Sequence, residues 1–352
     1  MNLEHFRSKT GLNPWLAIAA ILLVIALLIP QMGMAHVRWF VDSSATVETF
    51  EPFQLTDIEV LVWIAIAIGL IGTSVVLDMR LPVVRIVDTK TRHDFIELLR
   101  VFTGMSMLLT AYEGAIIAPH LVAFGPFGTF LLFAQAGIGI LLIANRLVRH
   151  VAIMMILLHL GLAIKFGVLA AFEYLIMVAI AVFLLINNLP TAELRERFKP
   201  YSVDLLRILT GISLITLGVS EKLVGAMMAE SFLFLYQWNF MTAIGLDFFS
   251  DRLFVLSAGV IEVVFGVIMV LGTTTRLNVL AFSVVLFSSN VLFIIQGENE
   301  AAMVEFIGHM PVIGVALILL LLGAGQRLKV TNFLPNRQVN TNVKTVQVPQ
   351  DV

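Results

Sequence analysis

Ten stretches of mostly apolar residues, each 16 to 25 long, set the terms for this chain. They are Pro14–Ile29, Ile58–Leu77, Phe95–Ala118, Gly128–Ala144, Val148–Lys165, Phe172–Asn187, Val203–Met227, Arg252–Leu271, Leu277–Gln296 and Ala302–Ala324. A helix needs about 20 such residues to cross a bilayer. In lipid every backbone N–H and C=O must be paired within the structure, so each run reads as a helix. Composition agrees: 59% of the 352 residues are hydrophobic and 13% charged, where a soluble domain carries about 25% charged. A soluble enzyme, a secreted domain and a disordered chain are excluded. The expected fold is an all-α integral membrane protein of about ten transmembrane helices. Pro14–Ile29 is short enough to be a signal-peptide core instead.

Basic residues set the expected orientation. Arg80, Arg85, Lys90 and Arg92 lie in one loop, Arg195, Arg197 and Lys199 in another, and Arg7 and Lys9 precede the first run. The alternate loops differ: residues 30–57 hold Asp42, Glu48, Glu51 and Asp57 against Arg38 alone, and 117–128 hold no Lys or Arg. The pattern predicts a multi-pass protein of the cell inner membrane with both termini cytoplasmic. Residues 30–57, 118–127 and 228–250 then face outward. Lys165 and Lys222 are exceptions on the outer side. A net charge of −2 with no basic block argues against nucleic acid as a partner. No cysteine is present, which excludes thiol exchange and thiolate metal sites.

The chain also repeats itself. ELLRVFTGMSMLL at Glu97–Leu109 matches DLLRILTGISLIT at Asp204–Thr216, with Arg100 and Arg207 separated by 207 − 100 = 107 positions. Gln135, Gly139 and Arg149 match Glu262, Gly266 and Arg276 at 276 − 149 = 127, and Glu173 matches Glu305 at 305 − 173 = 132. Each copy holds four spans of the same topology, so the two should be related by an axis along the membrane normal. The expected domains are two leading helices with an outer loop (1–94), two parallel-repeat four-helix bundles (95–190 and 191–328) and a disordered cytoplasmic tail (329–352).

The second copy resembles a DoxX-like domain. Three signatures carry the resemblance: Arg207, Gly211, Gly218 and Lys222 on one helix; Glu262, Gly266, Gly272 and Arg276 on the next; Glu305, His309, Gly323 and Gly325 on the last. The first copy departs from it, with Gln135 for the Glu and Ala115 where Lys222 aligns. The resemblance implies an association with redox and quinone chemistry, as in thiosulfate:quinone oxidoreductase subunits. Related families bind cargo or assist assembly.

An ionisable residue in a span costs roughly 2.5–3.5 kcal/mol to insert, so each marks a candidate site. Glu262 lies mid-span, and Lys222 is its expected partner across consecutive antiparallel helices. The plainer reading of that pair is a tie holding two helices in register; the sharper one is a proton-exchanging carboxylate beside a substrate. Glu305 and His309 share a helix face at i, i+4. Together with Glu221, Lys222, Glu262 and Asn290 they form the candidate ligand-binding set of an outward-facing polar pocket. Lys165 and Glu173 flank a short outer turn and could pair. Arg100, Arg207 and Arg276 are structural charge candidates; Arg207 and Arg276 are expected to snorkel to headgroups, and Glu97–Arg100 and Asp204–Arg207 are i, i+3 pairs expected to neutralise each other. His36 follows small residues Gly33 and Ala35. Cleavage there would leave an amine and an imidazole that chelate copper, with His120, Met227, Met228 and Met241 as further ligands.

Three functions follow as expectations. The first is an accessory component of a membrane redox system, bound to a redox partner subunit and taking a quinone or another small apolar ligand. The second is a transporter or copper-handling protein using the polar pocket. The third is a structural partner of another membrane complex.

Overall fold

The computed structural model describes residues 39–41, 51–82, 84–86, 89–333 and 344–346. The run Pro14–Ile29 and His36 lie outside them. Twelve α-helices are described: α1 (Ile58–Arg80), α2 (Thr89–Tyr112), α3 (Gly125–Ile143), α4 (Val148–Phe166), α5 (Val168–Glu173), α6 (Leu175–Asn187), α7 (Ala192–Leu217), α8 (Ala226–Tyr236), α9 (Phe240–Ala243), α10 (Asp251–Leu271), α11 (Thr275–Gln296) and α12 (Asn299–Leu322). Eight helices among the described residues are long and apolar enough to cross a membrane. The protein is an all-α integral membrane protein.

Local chemistry sets the helix ends. Thr191 and Ser250 accept hydrogen bonds from the backbone N–H groups of Leu194 and Leu253 at 3.3 and 3.2 Å, capping α7 and α10. Gly272 closes α10 at φ 75°, a left-handed conformation that costs glycine little. Two spans depart from the expected form. The run Phe172–Asn187 is split: α5 stops at Glu173, Tyr174 leaves helical geometry, and α6 has 13 residues. The run Val203–Met227 continues beyond α7 as a π-helix over Gly218–Val224.

Within each copy the helices pack in chain order: α2 on α3, α3 on α4 and α4 on α6, then α7 on α10, α10 on α11 and α11 on α12. The four-helix sets do not close on themselves. The last helix of each copy packs along the first helix of the other, α6 on α7 and α12 on α2. The result is a closed ring of eight helix positions with a reciprocal exchange, the intrachain counterpart of an isologous dimer. One core therefore runs through both copies and draws on Leu99, Met107, Leu206, Leu214, Ile318 and Leu319.

The leading helix α1 lies outside the ring against α10. Ser74 Oγ and Thr273 Oγ1 are 2.8 Å apart there, and Asp78 accepts from the Thr274 backbone N–H at 3.0 Å. The tail expected to be structureless from 329 is held further along. Lys329 pairs with Asp78 at 2.6 Å, the Thr331 hydroxyl donates to the same carboxylate, and Val330–Phe333 forms a 3₁₀ turn. Asp78, partly buried beside α10, supplies the acceptors that a polar tail otherwise finds in water. Val84–Ile86 (β1) and Lys344–Val346 (β2) pair in parallel.

Candidate functional site

Two features recur in both copies at matching positions. In the first, a Cβ added at Gly104 would lie 2.9 Å from the Gly139 carbonyl, and one at Gly139 would lie 2.8 Å from the Gly104 carbonyl. Gly211 and Gly266 repeat this at 2.7 and 2.6 Å. No side chain fits at either crossing, which is the close approach that small residues permit between membrane helices. In the second, Arg100 donates to the carbonyls of Leu142 and Ile143, and Arg207 to those of Met269 and Val270. Each Arg thus gives a side-chain donor to carbonyl groups in the last turn of the next long helix, where helical N–H partners run out.

These contacts correct the snorkelling expectation. Arg207 is 0% exposed, also donates to Ala324 O and Leu328 O, and pairs with Asp204 at 3.5 Å. Arg276 does the same service for α12, donating to Leu320 O and Leu321 O at 2.7 Å each. In a bilayer interior, carbonyl oxygens at a helix end are stronger partners for a guanidinium than a headgroup further away.

The interiors of the copies differ. In the first, Gln135 is fully buried; its Oε1 accepts from the Ile117 N–H at 2.8 Å, and its Nε2 donates to Met107 O, Thr110 Oγ1 and Ala115 O at 2.9–3.2 Å. One neutral amide thereby satisfies the backbone where α2 ends. In the second, the equivalent Glu262 meets Lys222, whose Nζ donates to it at 2.7 Å and lies 3.4 Å from Glu221. The π-helical segment carries both Glu221 and Lys222. Gly218 and Gly259 let that segment press against α10: a Cβ at Gly259 would lie 2.9 Å from the Lys222 Cβ. Glu221 Oε1 is buried without a hydrogen-bond partner.

The other expected site residues are spread over several helices. Glu173, at the α5–α6 break, accepts from the Ser220 hydroxyl at 2.7 Å, and its carbonyl accepts from Ser213. The first copy thereby sends an acid into the π-helical segment of the second. Glu305 accepts from Ser289 and lies 3.9 Å from His309 Nδ1; its Oε2 is buried and unpartnered. Asn290, expected to join Glu305 and His309, instead donates to Ala302 O at 2.8 Å. It stands one residue from Ser289, about 100° around the helix. Lys165 does not pair with Glu173: it donates to Phe124 O at 2.7 Å and lies 3.6 Å over the Phe124 ring. His159 faces the Ala171 carbonyl at 2.9 Å.

Ser220, Ser289 and Trp39 went unnoticed in the sequence. The Trp39 ring lies 5.6 Å from that of His309 and its Nε1 is 3.4 Å from the Tyr174 hydroxyl. A lone serine in an apolar run reads as a packing residue, so only the matched Glu173 and Glu305 offered a signal. Among the described residues no three His, Cys, Asp or Glu side chains converge to hold a metal, and Met228 is buried in an apolar cluster. His36, the residue on which the copper expectation rested, lies outside the described residues.

Comparison with protein families, curated proteins and solved structures finds no match for this chain.

Proposed function

We propose that the chain binds a small ligand with an apolar body and a hydroxyl-bearing head at the Glu221–Lys222–Glu262 triad, as an accessory component of a membrane redox system. The observation that carries this is the state of the triad: one ammonium shared by two carboxyl groups, with Glu221 Oε1 left over. A buried unpaired oxygen is costly, and Glu305 Oε2 is a second buried acceptor without a partner. Such a site asks for a ligand that both donates to a carboxylate and accepts from Lys222. The reduced, hydroxyl-bearing form of a quinone does both, and its tail belongs in lipid. The oxidised form only accepts and fits less well. The likeness of the second copy to DoxX-like domains supports the same reading. The test is saturable quenching of tryptophan fluorescence by decylubiquinol and by decylubiquinone in detergent. Tighter binding of the quinol, lost in Lys222→Met, is the expected result; no saturable binding of either overturns it.

A second reading is a transporter. It is favoured by one observation: two interrupted helices meet where Glu173 accepts from Ser220, and discontinuous helices at a repeat interface are the usual build of transporter sites. Proton flux into dye-loaded proteoliposomes under an imposed potential, abolished by Glu262→Gln, is its signature.

A further inference from the structure

The segment between Gly225 and Ser250 has the sequence position of an outer loop in water. Its placement and its surface are those of a membrane element. Depth comes from the contact between Lys222 and Gly259. Gly259 lies eight residues inside α10, about 12 Å below its outer end at 1.5 Å per residue. The chain therefore leaves the π-helical segment while still within the bilayer, and the 11 residues of α8 climb about 16 Å beside α10 to reach that end. There Asn239 Nδ2 donates to Phe249 O and Asp251 Oδ1, both at 2.8 Å, which fastens the tip to the start of α10. Gln296 Nε2 donates to Tyr236 O at 2.8 Å and fixes the tip to the end of α11.

The inner face of this hairpin is ordinary core: Ala226, Met228, Ala229 and Leu233 are buried with Phe254 and Val255. The other face carries Phe234, Leu235, Phe240, Ile244 and Phe248, all between 44% and 75% exposed. Five large apolar side chains in one short stretch exceed the scattered exposure that water tolerates. The whole stretch 225–250 contains no Lys or Arg, and its acids are Glu230 and Asp247. A protein-binding patch normally has a polar rim; here the one exposed acid of the stretch, Asp247, lies only toward the α10 end of the face. The face instead runs on into the exposed apolar side of α11 at Ile294 and Ile295, a surface that already faces lipid. Tyr236 sits near the tip, where a bilayer favours rings with one polar edge.

We infer that the Gly225–Ser250 hairpin is embedded in the outer leaflet, with phospholipid acyl chains as the occupant of the Phe234–Phe248 face. The site-bearing segment is joined to this hairpin at Gly225, so the second copy is anchored to lipid directly beyond Lys222. Nothing comparable follows α2, where the loop returns to α3 within twelve residues, 113 to 124.

The absence of cysteine makes the test direct. Phe248→Cys and Ile244→Cys are labelled singly with an NBD dye, and Glu113→Cys, in the short outer loop of the first copy, is the control. Each full-length protein is reconstituted in phosphatidylcholine vesicles with or without nitroxide-bearing lipid. The inference expects blue-shifted emission at both hairpin positions, and quenching by a nitroxide near the headgroup end of the chain several-fold stronger than at Glu113. Water-like emission with control-level quenching overturns it. Blue-shifted emission without quenching also overturns it, because the face is then covered by protein, a second copy included. Near-native thermal stability of each labelled variant shows that the fold is intact.

Discussion

The two copies share a frame and differ in what it encloses. Both cross their first two helices at a glycine pair, and both cap the second helix with an arginine from the first. Inside that frame the first copy holds a neutral glutamine with every polar atom matched, and the second holds an ammonium between two carboxylates with an oxygen to spare. A fully matched neutral network rigidifies; a charge cluster with an open acceptor is poised to take something up. The frame thus carries the fold in both halves, while the chemistry is concentrated in one. The first copy still contributes, because Glu173 reaches across to Ser220.

The hardest way to break the comparison is at the shared frame. Gly139→Ala and Gly266→Ala each place a methyl within 2.8 Å of a backbone carbonyl. Neither neighbour is a side-chain end that can swing away, so each variant should lose stability at or beyond the usual overpacking cost of about 1–3 kcal/mol. Thermal unfolding in detergent measures this. Equal losses mean one frame used twice. A tolerated Gly139→Ala beside a damaging Gly266→Ala would mean that the first copy is only a loose likeness.

A smaller effect is expected at the interiors, where the copies should diverge. Removing one partner of a buried ion pair typically costs about 3–5 kcal/mol, and a lone Glu262 that takes up a proton recovers part of that. Lys222→Met and Glu262→Gln should each destabilise by less than that range, and the double variant by less than the sum of the singles. A double-mutant cycle on thermal stability reads the coupling, and additivity within about 0.5 kcal/mol would mean the pair is not energetically linked. Gln135→Glu probes the other copy. It removes donors to Met107, Thr110 and Ala115 and supplies no cation, so it should destabilise without affecting ligand binding. Loss of binding in that variant would put a site in the first copy too.

Eight of the ten apolar runs stand as long helices because hydropathy encodes them directly. Lys222 beside Glu262 was legible because a mid-span carboxylate has few partners to choose from. The exchange of α6 and α12 between copies was not, since apolar faces carry no label for which helix they meet. The split at Tyr174 and the π-helical segment were hidden for a different reason. An apolar run gives the same signal whether its helix is continuous or interrupted. Ser289 in place of Asn290 shows the finest limit, a rotation of one residue about α11.

The smallest expected effect sharpens the comparison from outside the ring. Helix α1 braces the second copy through α10, and no such brace is described on the first. Its N-terminal end is tied by Arg252, which donates to Asp57 at 2.7 Å and Glu59 at 3.1 Å. These groups are exposed or partly exposed, so solvent and salt screen the pairs, and Asp57→Asn should leave the thermal midpoint almost unchanged. The pH dependence is more telling. Asp57, at the aqueous end of α1, is held below its ordinary value of 3.8, first by the Gln54 backbone N–H and then by Arg252. A carboxylate with a depressed folded value stabilises above its unfolded value and loses that contribution as pH falls through the folded one. The tie should therefore be complete at pH 5 and above, and weaken progressively below about pH 4. Hydrogen exchange over residues 54–60 in detergent, relative to 113–124 in the first copy, reads it locally. That ratio should rise on acidification in the wild type and start high in Asp57→Asn. If the two profiles coincide at every pH, Arg252 does not hold α1, and the brace rests on its C-terminal end, where Asp78 meets Thr274 and Lys329.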